Sequence, residues 1–352
     1  MMSRIDSRKT AEKRLQSLGR RMDRDAVFKD KIFNQVANLI SKGYVERVPF
    51  SELNNKRCWY SPLHSVIKPR KPDKVRVMHD ASAITSGFAL NNFLLKGPDS
   101  TCKLISVILK ARVHPIFLKC EVKDFFMRIL MNEEDKEVFR FLFWADETKK
   151  EIVDWRANVW LFGLLSSPCI ANLALKRCAL DHATSPNSEV RKAVEESTYV
   201  DDCFRSLVDV ETTLKFLRDL PQMLAKGGFA LVKMVSNSLA VMGEIPEEDR
   251  VSGVIHFQDA VMGEDSALGM KLDLSADAFK PAFPQEILTR SVTTRREVLA
   301  VVASVWLPLG FFLPFVVPAK IVIQQLASLK LGWDDSVPAD VMAEFEQWRK
   351  GL

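Results

Sequence analysis

The stretch STYVDDCFRS, residues 197–206, sets two carboxylates side by side, Asp201 and Asp202. Tyr199 and Val200 precede them and Cys203 and Phe204 follow, all types that favour extended chain, so the pair falls where a hairpin would turn. Adjacent like charges repel, so such a turn either lies open to water or faces a strong positive charge. A hard divalent cation such as Mg2+ takes oxygen ligands of this kind and keeps positions for water and substrate phosphates. Two such ions about 3.5–4 Å apart can activate an attacking oxygen and steady a leaving one during phosphoryl transfer.

The elements needed to position that turn can be read on either side of it. HPIFLKCEV (114–122) has the period of a strand: Leu118, Cys120 and Val122 share one face, and Phe117, Lys119 and Glu121 the other. Residues 9–24 and 26–42 read as helices, the second carrying Phe28, Ile32, Val36 and Leu39/Ile40 at helical spacing before Gly43. Residues 58–83 read as two strands around a basic, proline-bearing turn at 68–74, and EVFRFLFW (137–144) as another strand. Helices are expected at 167–182, with Pro168 in the first turn, and at 209–227, before a strand at 229–235. Strands and long helices without strict alternation indicate an α+β fold.

Composition narrows the class. With 47% hydrophobic and 27% charged residues in 352, the chain is expected to be soluble and globular, with two or three domains or subdomains. Residues 1–76 hold 19 Lys and Arg against 8 Asp and Glu, while the remainder holds 31 against 37. A basic first quarter on a more acidic body suits a polyanion partner, although two helices with solvated basic faces give the same count. The apolar run 298–323 is broken by Pro308, Pro314 and Pro318, so a packed interior segment is expected and no membrane partner. No signal peptide is read at the N-terminus, and the six cysteines fall without CxxC pairs. Reduced thiols in an intracellular, cytoplasmic protein are the expectation.

Tyr199-Val200-Asp201-Asp202 resembles the Tyr-x-Asp-Asp box of reverse transcriptases, and four further stretches follow that family's order. EVKDFFMRI (121–129) is similar to the first carboxylate strand of the palm, FGLLSSP (162–168) to the loop beneath the incoming nucleotide, and GFALVKMVSN (228–237) to the later lysine strand. KVRVMHDASA (74–83) is similar to the fingers strand whose arginine grips the triphosphate. WYSPLHSV, LNNFLLKGPD, LGMKLDLSADAF, TTRREVLAVVASVWLPLG and LPFVVPAK narrow the resemblance to the polymerase region of BEL/Pao-type LTR retrotransposons, over about residues 9–335.

The resemblance implies a right-hand polymerase: a helical N-terminal region (1–57), fingers (58–112), a palm with an antiparallel sheet and the Tyr-Val-Asp-Asp hairpin (113–240), and a thumb or connection-like region (241–352). It implies templated DNA synthesis with two Mg2+ ions, an RNA or DNA template-primer and deoxynucleoside triphosphates. Glu121, Asp201 and Asp202 would be the metal-binding catalytic carboxylates, and Lys233 would protonate the leaving pyrophosphate. Arg76 would bind the triphosphate, Phe126 screen the sugar, and Gly163 make room for the nucleotide. Lys68, Arg70 and Lys71 are candidates for the triphosphate or for template phosphates. Such polyproteins also carry protease, RNase H and integrase parts as partners, and the expectation is that these activities lie outside the chain. An aspartic peptidase is disfavoured because no Asp-Thr/Ser-Gly triplet is present, Ala267 standing where glycine is needed.

Several positions depart from the family pattern. Glu121 stands where Asp is usual, pushing the carboxylate out by one methylene, roughly 1.5 Å of extra reach. Metal binding with weakened or lost polymerisation is therefore expected, and a catalytically inactive remnant that only binds nucleic acid is the competing reading. Asp124 is a rival for the first carboxylate, and a salt bridge to Lys119 or another neighbour is the plain alternative for Glu121. His79 stands in place of Phe, Leu272 in place of Trp, and Trp306-Leu307 in place of an Asp before Pro308.

Overall fold

A computed structural model describes residues 5–351 except 56, 69–70, 258–259, 282–285, 306–309 and 311–312. Arg70 and the Trp306–Leu309 departure lie outside the described residues, as do the side chains of Lys68 and Lys71.

The chain begins with α1 (Ser7–Arg24) and α2 (Ala26–Ser41), close to the expected spans. Asp6 caps the first by accepting from the Lys9 amide, and Asp25 caps the second by accepting from the Phe28 amide at 2.9 Å. Gly43, at φ +70°, ends the pair. Then come β1 (Val45–Arg47), β2 (Leu63–Lys68), β3 (Lys71–His79), α3 (Leu104–Lys110) and β4 (Ile116–Val122). They are followed by β5 (Arg140–Trp144), β6 (Ile152–Ala157), α4 (Ser167–His182), α5 (Glu189–Glu196), β7 (Thr198–Tyr199) and β8 (Asp202–Leu207). The rest comprises α6 (Val210–Lys226), β9 (Leu231–Ser236), α7 (Leu239–Glu244) and the short strands β10 (Ile255–Phe257), β11 (Ala260–Met262), β12 (Glu264–Ala267), β13 (Met270–Asp273) and β14 (Ala278–Pro281). Four helices close it: α8 (Glu286–Thr289), α9 (Arg295–Ala303), α10 (Leu313–Ser328) and α11 (Ala339–Lys350).

These elements form two compact units. The first takes residues 1–101, 122–195 and 220–230, and the second takes 102–121, 196–219 and 231–352. In the first unit an antiparallel sheet in the order β1-β6-β5 and the hairpin β2-β3 meet α1 and α2. Ala11, Leu15, Leu18 and Met22 of α1 and Phe28, Ile32 and Val36 of α2 bury one helical stripe each against Phe141, Leu142 and Phe143. Residues 137–139, expected as strand, lie in a 3-10 helix (Glu133–Phe139), and the strand starts at Arg140. The run 136–144 is buried throughout, so it lacks the alternation that separates strand from helix.

The second unit is built on a four-stranded sheet, β7-β8-β4-β9, with α3 against β8. A separate apolar cluster joins Val298, Val301, Val322, Leu326, Phe345 and Trp348 of α9, α10 and α11. Pro314 and Pro318 both lie within α10, and Trp348 closes over it by donating from Nε1 to the Phe315 carbonyl. No helix among the described residues is long and apolar enough to cross a membrane.

His79 is buried edge-on to Phe141, ring centroids 4.8 Å apart, and its Nε2 has no hydrogen-bond partner among the described residues. Burial pushes its pKa down from 6.5 to about 3, and the nearby His64 adds to the shift. The folded state therefore binds this proton less readily than the unfolded chain. Stability is full above about pH 6.5 and falls as pH drops from there toward 3, by up to about 1.4 kcal/mol per pH unit. His79→Phe should remove that slope and add about 1 kcal/mol at neutral pH by deleting the orphaned nitrogen. Urea unfolding of both proteins at pH 7 and pH 5.5 checks this, and equal slopes would refute it.

Candidate active site

The second unit brings together the carboxylates read from the sequence. Strand β4 pairs antiparallel with β8 so that Glu121 lies directly opposite Asp202, Cys120 opposite Cys203, and Lys119 opposite Phe204. Opposed residues share a face with Cβ atoms about 4.5–5.5 Å apart, so Glu121 and Asp202 project to the same side. The hairpin reverses through Val200 and Asp201, and Val200 adopts φ +58°, an uncommon left-handed conformation for a β-branched residue. Behind the acidic face, Cys120 and Cys203 are buried as register partners.

Negative charge accumulates here. Burial pushes the Asp202 carboxyl up to about 7; the charges of Asp201, Glu121 and Asp265 raise it further, and Lys119 opposes them. Lys119 is itself buried and ion-paired to Asp265 of β12. The ammonium of Lys233, on β9, lies 2.5 Å from Oε1 of Glu121 and engages Oε2 as well. The salt-bridge alternative for Glu121 is thus realised, with Lys233 and not Lys119 as the partner. Lys233 also has a left-handed backbone, φ +53°, inside a strand.

This donor set is of the kind a hard divalent cation takes, all carboxylate oxygen with mutual repulsion to relieve. As the side chains stand, no group of three His, Cys, Asp or Glu among the described residues is disposed to hold a metal ion. Asp124, the rival first carboxylate, is engaged elsewhere: it sits at φ +52° and accepts from Lys42 at 2.8 Å and from Tyr44 at 3.1 Å.

The residues expected to meet substrate lie in the first unit. Arg76 is exposed on β3, opposite Val66. Phe126 is half-buried in a 3-10 turn, its ring 4.9 Å edge-on from that of Phe162. The next residue, Gly163, has φ +100°, and a Cβ there would stand 2.5 Å from the carbonyl oxygen of His79. Asn91 pins the same loop, donating to the Gly163 carbonyl and accepting from the Leu165 amide at 3.0 Å. Lys68 and Lys71 are register partners across the β2-β3 hairpin.

Sequence reasoning missed Asp265 and the polar end of β9. Ser236 donates to the Phe117 carbonyl at 2.6 Å, and Asn237 accepts from the Phe117 amide at 2.8 Å and donates to Pro115 at 2.9 Å. These side chains hold the start of β4 in place, so the Ser-Asn pair acts on the site through the backbone.

Residues 294–352 match the sequence family described as the Pao retrotransposon-like RNaseH-like domain. No curated protein matches the chain. Among solved structures, the foamy viral protease-reverse transcriptase in complex with an RNA/DNA hybrid matches with a TM-score of 0.58 at 13% identity, over 92% of this chain and 36% of that one. The same protein with double-stranded DNA gives 0.57 at 14% identity, over 92% and 56%. Its dRH form with double-stranded DNA gives 0.55 at 14%, over 89% and 46%. The chain thus spans between about a third and just over half of those chains. The fold is α+β and polymerase-like, similar to that of these foamy viral structures, and residues 294–352 carry the likeness to the Pao retrotransposon-like family. That match also bears on the expectation that RNase H lies outside the chain, because a segment expected as thumb or connection carries an RNaseH-like family description.

Proposed function

We propose that this chain is a reverse transcriptase-like nucleotidyl transferase, performing templated DNA synthesis by two-metal phosphoryl transfer with an activity weakened by Glu121. The observation that carries the reading is the register of β4 and β8, which sets Glu121 against Asp202 beside the Asp201 turn. Glu121, Asp201 and Asp202 would hold the ions, and Mg2+, when bound, would supply a Lewis acid for the attacking hydroxyl and for the leaving phosphate oxygens. Buried Lys119 lowers the cost of gathering these charges. Gly163 keeps its loop free of a side chain where the His79 carbonyl passes, and Phe126 packs beside that loop through Phe162. Arg76 offers a planar fork for phosphate, and Lys233 an ammonium for the departing pyrophosphate.

The test is extension of a DNA primer on RNA and on DNA templates with Mg2+ and deoxynucleoside triphosphates. Extension that a chelator stops is the expected result. Inertness of both the wild type and Glu121→Asp would overturn it and leave the inactive remnant that only binds nucleic acid. Template-primer affinity should in either case fall with added salt, by about tenfold or more between 50 and 200 mM if several phosphates are neutralised. Fluorescence anisotropy at three salt concentrations checks that, and a flat profile would contradict the phosphate-binding role given to the basic first quarter.

A second reading has the family match in its favour: residues 294–352 would belong to an RNase H activity on the RNA strand of a hybrid. Release of RNA fragments from a hybrid, surviving Asp202→Asn, would support it.

A further inference from the structure

We propose that Lys233 is a built-in counter-cation for Glu121, holding both oxygens of that carboxylate and giving way when a divalent ion binds. The inference rests on the reading of Glu121 as a metal ligand. Three observations carry it. The Lys233 ammonium engages Oε1 and Oε2 together, so neither glutamate oxygen is left without a cation. The lysine presents itself from a left-handed backbone within β9, a conformation unusual for a non-glycine residue. The neighbouring negative charge is treated in the same way, since Lys119 is ion-paired to Asp265 on the same acidic face.

The chemistry is electrostatic. Three carboxylates, Glu121, Asp201 and Asp265, lie close enough for the Asp202 carboxyl to feel their charge. Without a metal, cations of the chain relieve the repulsion across such a face. Lys119 is buried and fixed in that duty, but the Lys233 side chain is 55% exposed and can swing into water. The longer glutamate suits this arrangement, because its extra methylene carries the carboxylate outward by roughly 1.5 Å. An ammonium that spans both oxygens occupies the bidentate position a divalent ion would take and repels its charge, so the two compete.

The measurement is Mn2+ affinity by electron paramagnetic resonance on the whole chain, comparing wild type, Lys233→Met and Lys233→Arg. Methionine keeps the unbranched stem and the non-glycine backbone while removing the charged end, and circular dichroism confirms the fold. Lys233→Met should bind Mn2+ about fivefold more tightly, as expected when an exposed ion pair worth about 1 kcal/mol no longer competes. Lys233→Arg should stay near the wild type, and the gain should shrink with added salt. Equal or weaker binding by Lys233→Met overturns the proposal and leaves Lys233 as a group for pyrophosphate alone. If no protein shows an Mn2+ site that Asp202→Asn removes, the metal-ligand reading falls, and this proposal with it.

Discussion

Glu121→Asp should extend a primer about a hundredfold faster than the wild type at the same Mg2+ concentration. The backbone of residue 121 is already fixed opposite Asp202, so either acidic side chain leaves the sheet on the same face. What changes is reach. Aspartate withdraws the carboxylate by roughly 1.5 Å, and displacement of about 1 Å at a reacting centre costs around two powers of ten in rate. The shorter side chain also loosens the double contact with Lys233, so the carboxylate is held less firmly by the ammonium. Little stability is at stake, because that ion pair is partly exposed and such pairs contribute about 1 kcal/mol or less. Turnover rates from saturating primer extension decide the matter. A rate equal to the wild type, or lower, would mean that the site is built around the glutamate and that its extra length is no defect.

That residue 121 would meet the aspartate turn was implied by the resemblance to the reverse-transcriptase palm; the residues themselves supplied only the strands on either side. Period two put Lys119 and Glu121 on one face, and the hairpin residues fixed where the return strand starts. Helix α4 spans the expected residues, with Pro168 in its first turn as read from the sequence. The partners of these groups were not legible. Lys119 meets Asp265 across 146 residues of chain, and Lys233 meets Glu121 across 112. Nothing local to a lysine announces which distant carboxylate will face it; that follows from how β9 and β12 are placed, and strand period alone does not specify it. The same holds for Asn237, whose side chain caps backbone groups at Pro115 and Phe117.

Glu137 shows where a misread element hides a large energy, and Glu137→Gln should cost the first unit about 3–5 kcal/mol. Read as the first residue of a strand, this glutamate looks like an ordinary surface carboxylate. In the 3-10 turn it is instead buried between two guanidinium groups, ion-paired to Arg140 and accepting from Arg156 at 2.7 Å. Arg140 is fully buried, and its other partners are neutral oxygens: Tyr60 at 2.9 Å, the Leu53 carbonyl at 3.2 Å and the Glu52 carbonyl at 2.6 Å. Arg156 keeps Glu46 and Glu52, so the loss falls on Arg140, a charge left without a counter-ion in the interior. Glutamine matches glutamate in shape, which leaves packing intact and isolates the electrostatic term. Glu46→Gln, at the half-exposed rim of the same network, should cost under about 1 kcal/mol. Urea unfolding of the three proteins tests the contrast. Equal losses for the two variants would show that the Arg140 charge is relieved by water or by movement of the loop at residues 50–55.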